Sequence, residues 1–111
     1  MAHSTPTHDE HVHEEHLVGP VLRGVDGDLI DAVIAAAELD NSGSEVVVDD
    51  HRGYVRVHTP RRFRLTRATL EAILGRPFQL GELEPSLAGF AGRLQQSDDE
   101  WVWYLERKRG E

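Results

Sequence analysis

No cysteine occurs anywhere in the chain, which excludes a disulfide framework, a thiolate metal site and a cysteine nucleophile. No apolar run approaches the roughly 20 residues that cross a bilayer. The opening MAHSTPTHDEHVHEEH also lacks the apolar core of a secretion signal. Positive charge is short as well: 12 Lys and Arg stand against 20 Asp and Glu, a net charge of −8. A nucleic-acid partner needs a concentrated basic face, so none is expected. The basic residues collect at Arg61, Arg62, Arg64 and Arg67 and again at Arg107, Lys108 and Arg109. They read as a solvated strand edge and a chain end. No phosphate loop, Ser-His-Asp order or pair of buried carboxylates can be assembled. These absences describe a cytoplasmic protein without membrane or nucleic-acid partners and without catalytic residues.

What is present is patterned for folding. The 111 residues suffice for one domain with a small core. Residues 1–16 hold five histidines, four carboxylates and a single valine. Such a segment buries too little apolar area to offset the entropy of ordering, so a disordered tail is expected at 1–16 and a folded domain at 17–109. His8, His11, His13 and His16, with carboxylates between them, are the candidates for Zn²⁺, Ni²⁺ or Cu²⁺. A flexible tail offers no supporting shell to orient the rings, so no metal is assigned to them. A His-rich metal-binding or metal-delivery protein stands as the alternative function.

LVGPVLR, residues 17–23, reads as a first strand that Pro20 would confine to an edge or a bulge. Asp28 is a plausible N-cap for LIDAVIAAAEL, with Ile30, Val33, Ile34 and Ala37 on one face and Asn41-Ser42-Gly43 as the stop. Residues 45–49 form a β-branched strand, and the turn Asp50-His51-Arg52-Gly53 returns the chain into a strand at 54–58. Phe63 and Leu65 alternate along the next strand, which ends at the N-cap Thr66. Leu65 and Leu70 stand where a hydrophobic staple would, and Gly75 with Pro77 ends the helix. Residues 83–94 fit both periods; glycines at 89 and 92 favour a short helical turn at 80–84 followed by a strand. An acidic turn at 97–100 then leads into a strand at 100–107, where Trp101, Trp103 and Leu105 share a face too bulky to leave in water. The expected fold is α+β: a single compact domain of two βαββ-like halves.

Two clusters could carry function. Asp49, Asp50 and His51 resemble acid–base groups, but they lie in a hairpin turn without nucleophile or oxyanion device, and a local Asp–Arg52 pair is the expected outcome. Ser86 to Gly92 sets small residues around one large aromatic. Close backbone approach to another surface is then possible, with Phe90 as an anchor. The competing reading makes Phe90 core and the glycines devices of strand curvature.

EVVVDDHRGYVRV, LEAILGRPF and LAGFAGR, in this order and spacing, resemble the effector (coupling or regulatory) proteins of bacterial multicomponent diiron monooxygenases. The resemblance covers about Val18 to Arg107 and is closer to the four-component arene and alkene branch than to the methane branch. It implies a non-catalytic, cofactor-free protein, monomeric when free, whose partner is the hydroxylase that holds the diiron centre. The implied role is to tune turnover, coupling and product distribution. It also implies a partner-binding face at Leu87, Ala88, Gly89, Phe90 and Gly92, since Ala88, Gly89 and Phe90 match the segment that faces the hydroxylase. The His-rich tail departs from the family pattern.

Overall fold

The computed structural model describes residues 16–106. His8, His11, His13, the proposed tail up to residue 15 and the basic run Arg107-Lys108-Arg109 therefore lie outside the described residues, while His16 is described. β1 (Leu17–Arg23), α1 (Gly27–Asp40), β2 (Val47–His51) and β3 (Tyr54–Pro60) make the first half. β4 (Arg62–Thr66), α2 (Arg67–Leu74), a 3₁₀ helix (Leu80–Ser86), β5 (Leu87–Ala91), β6 (Arg93–Gln96) and β7 (Glu100–Tyr104) make the second. Two antiparallel sheets result, ordered β2-β3-β1-β5 and β4-β7-β6. In each half the first strand pairs with the last, and the last pairs with its hairpin partner. The α+β expectation holds, and both halves contain the βαββ order.

Local chemistry explains most boundaries. The α1 cap is Asp26, two residues before the expected Asp28: Asp26 Oδ1 accepts from the Leu29 N–H at 3.1 Å. Asp28 falls in the first turn instead, where a carboxylate complements the helix dipole. The α1 face of Ile30, Val33 and Ala37 is buried together with Leu29, Ala32 and Ala36, and Ile34 packs at its margin. Thr66 caps α2 as expected, its Oγ1 accepting from the Thr69 N–H at 3.3 Å. Leu65 and Leu70 are both fully buried beneath that cap, and Gly75 closes the helix in the left-handed conformation at φ 73°. The helical turn expected at 80–84 is the 3₁₀ segment, whose start is fixed by Glu82 Oε2 accepting from the Gln79 N–H at 2.9 Å.

Four expectations shift. β2 runs to His51, and the hairpin turns on Arg52 and Gly53 alone, with Gly53 at φ 83°. The polar residues Asp49, Asp50 and His51 belong to this edge strand because their backbone completes the ladder, whatever their side chains prefer. Pro20 is in an interior strand, not at an edge. The ladder from β1 to β3 skips Gly19 and Pro20, so the missing N–H breaks no pair there. β7 stops at Tyr104, leaving Leu105 beyond the strand and 38% exposed, whereas Trp101 and Trp103 are buried. The single strand expected after the helical turn is two strands in different sheets, β5 and β6, divided at Gly92.

One core serves both sheets. Val18, Leu22, Val55 and Val57 from the first meet Phe63, Leu65, Trp101 and Trp103 from the second, with α1 alongside. Trp103 is the centre of an aromatic group, its ring edge-on to Phe63 at 5.4 Å and to Trp101 at 6.1 Å.

Candidate functional site

β5 is the outer strand of the first sheet, paired on one side with β1. Its register places Gly89 opposite Val21, Phe90 opposite Pro20 and Ala91 opposite Gly19, then slips so that Leu87 faces Leu22. Ala88 is the extra residue of this bulge. Bulges re-aim side chains at sheet edges and beside functional sites. The expected partner-binding residues separate into two groups here. Leu87 packs against the core, and Ala88 and Phe90 are exposed. Phe90 is 47% exposed, while its ring still touches Trp103 edge-on at 6.5 Å. It is therefore both a margin of the core and a free apolar surface. Gly89 faces open space: a Cβ built there meets no atom within 4 Å.

Gly92 has a structural reason of its own. Its φ is 91°, and a Cβ would lie 2.7 Å from Val18 Cγ1 and 2.9 Å from the Tyr104 carbonyl oxygen. A side chain would be strained by the backbone conformation and blocked by a neighbouring strand. The residue is what lets the chain leave one sheet and enter the other.

Beside β5 the outward face of the first sheet forms an open groove of about 420 Å³. Val21, Ala88 and Gly89 supply its apolar part, and Arg23, Tyr54 and Arg56 its polar wall, with His51 at the hairpin end. His51 Nε2 lies 2.9 Å from Asp49 Oδ2, so the expected Asp–Arg52 pair is replaced by an Asp49–His51 pair. Both side chains are about half exposed, and no nucleophile accompanies them. Arg23, Tyr54 and Arg56 were not singled out by sequence. Their outward direction follows from the β1–β3 register, Val21 opposite Arg56 and Arg23 opposite Tyr54. Local periodicity carries no sign of that pairing.

His58, on the same strand as Tyr54 and Arg56, is 8% exposed, and its Nε2 has no hydrogen-bond partner. Burial, assisted by the Arg56 charge, lowers its pKa below the ordinary histidine value; the Gly19 and Pro20 backbone and Asp49 oppose this weakly. Among the described residues no group of three or more His, Asp or Glu is arranged to hold a metal. No helix among them is long and apolar enough to cross a membrane.

The MmoB/DmpM family model matches residues 16–104. The chain is 52% identical over 93 residues to the effector subunit of the alkene monooxygenase system of Xanthobacter autotrophicus strain Py2. That match covers 84% of this chain and 90% of the relative. Among solved structures, the fold is similar to a chain of a phenol hydroxylase–regulatory protein complex, with a TM-score of 0.69 at 23% identity, covering 81% of this chain and 99% of that one. It is also similar to the soluble methane monooxygenase regulatory protein B, with a TM-score of 0.60 at 20% identity, covering 82% of this chain and 66% of that one.

Proposed function

Because the chain belongs to the MmoB/DmpM family, we propose that it is the effector subunit of a hydrocarbon monooxygenase system acting on alkenes or arenes. It binds the hydroxylase, performs no chemistry itself, and tunes turnover, coupling and product distribution. The diiron centre belongs to the partner in this reading, and the free effector is a cofactor-free monomer. The observation that carries it is the 52% identity to an alkene monooxygenase effector subunit over most of both chains. The physical basis is linkage: an effector that binds one hydroxylase conformation more tightly shifts the population by that difference.

The docking face is the surface around Ala88, Gly89 and Phe90. Small side chains at a bulged edge permit close backbone approach, and Phe90 supplies an apolar anchor beside them. Open space at Gly89 makes Gly89→Trp an informative variant, because a Cβ there meets nothing within 4 Å in the effector's own fold. A clash of about 3 kcal/mol in the complex weakens binding by roughly two orders of magnitude. Hydroxylase turnover is measured against rising effector concentration, with thermal melts to confirm folding. The variant should need far more protein to saturate the hydroxylase. Saturation at the wild-type concentration, with the same products and coupling, would place the contact elsewhere.

A further inference from the structure

Nine arginines lie among the described residues, and four of them sit beside carboxylates. Arg64, Arg67, Arg76 and Arg93 each have a carboxylate within 4 Å, namely Glu100, Asp99 (with Glu71), Glu82 and Glu106. Arg23, Arg52, Arg56, Arg61 and Arg62 have no ion pair among the described residues, and of these only Arg23 and Arg56 line the groove beside β5. Asp49 stands opposite Arg56 in the β2–β3 register, and its Oδ2 lies 2.9 Å from His51 Nε2, with no ion pair to Arg56. Two guanidinium groups on one face concentrate positive charge locally in a chain of net charge −8.

Their placement is geometrically specific. Val21 pairs with Arg56 and Arg23 with Tyr54, so Arg23 and Arg56 are diagonal neighbours on one face, roughly 7–8 Å apart at the backbone. Guanidinium forks suit carboxylates, which they bind through two parallel hydrogen bonds. The groove continues into Ala88 and Gly89, so it runs directly into the proposed docking face.

We infer that this groove receives an acidic segment of the hydroxylase, with Arg23 and Arg56 binding its Asp or Glu carboxylates. Charge complementarity selects the occupant. A polyanion such as nucleic acid would be repelled by the rest of a −8 chain, whereas one short acidic segment meets only the local positive face. Exposed charges at the rim of an interface chiefly orient encounter and make association depend on salt. The groove therefore sets how the effector is oriented on its partner, while Phe90 and the small residues of β5 make the close contact. This inference rests on the effector reading and names the chemistry of the surface that faces it.

Dissociation constants for the hydroxylase of the same system are measured at low and high salt for the wild type, R23Q/R56Q, R23K/R56K, R76Q and G89W. Loss of both charges should weaken low-salt binding by about ten-fold and flatten the salt dependence. The lysine pair should keep most of the salt dependence, and R76Q, at the far end of α2, should bind as wild type. If R23Q/R56Q binds with wild-type affinity and salt dependence while G89W does not bind, the acidic-segment contact is wrong and the docking face stands. Weakening with an unchanged salt slope also overturns the charge contact. Wild-type behaviour of G89W and R23Q/R56Q together removes the docking face, and this inference with it.

Discussion

Gly92 and His58 show how far a single position can be understood only through its neighbours. The glycine is a weak signal in the sequence, compatible with a strand, a helix interior or a docking surface. Its φ of 91° and the 2.7 Å approach of Val18 Cγ1 make it a requirement of the fold. Gly92→Val should destabilise by several kcal/mol, through an unfavourable backbone conformation and a forced shift of β1, as seen in denaturant titration. A loss below about 1 kcal/mol would show that β1 yields easily. His58 offers a second test. Its folded pKa is lowered chiefly by burial, so the unfolded chain takes up the proton first as pH falls. At a pH well above the ordinary histidine value both states are neutral and this group has no effect on stability. Below about pH 6.5 the unfolded state is favoured, and stability is lost. His58→Phe removes both the titration and the orphaned Nε2, so the slope of stability between about pH 7 and pH 5 should flatten. An unchanged slope would mean that the acid limb belongs to other groups.

At the scale of elements, the joint between α1 and α2 holds the two halves in register. Asp40, the last residue of α1, accepts from the Thr66 N–H at 2.8 Å and from Thr69 Oγ1 at 2.7 Å. Asn41 completes the joint: its Oδ1 accepts from the Arg64 N–H at 2.8 Å and its Nδ2 donates to the Arg64 carbonyl at 2.9 Å. Thr66→Ala should cost about 1 kcal/mol through the lost cap. Asp40→Ala strands two donors and should cost more, roughly 2–3 kcal/mol. Equal, small losses in urea titrations would show that water replaces the carboxylate without penalty. Thr66, its staple and the Gly75 stop were legible because they depend on residues within one turn of one another. Asp40 and Asn41 were not, since Asn41 reads only as a helix stop until β4 is packed beside it. The groove was illegible for the same reason. Arg23 and Arg56 are 33 positions apart in number, and only the β1–β3 ladder sets them on one face.

At the scale of the whole molecule, the two halves repeat one pairing order, yet neither is closed on itself. β5 comes from the second half and completes the first sheet, and Gly92 passes the chain back to the second. Alternation of apolar residues identified a strand in this region but not the change of sheet, which is a choice between long-range partners. The shared core has the same consequence, because Trp103 packs among residues that β1, β3 and α1 also bury. Trp103→Ala should cost about 3–5 kcal/mol through lost burial and a residual cavity. If both sheets unfold as one cooperative unit, that loss must appear in each of them. Native-state hydrogen exchange can follow β1 and β3 separately from β4 and β7. The slowest amides in β1 and β3 should lose protection by the same free energy as those of β4 and β7. Undiminished protection in the first sheet, beside a weakened second, would show two independent units. The outer strand β5 would then be held by the first half alone, and its geometry would survive damage to the Trp103 core.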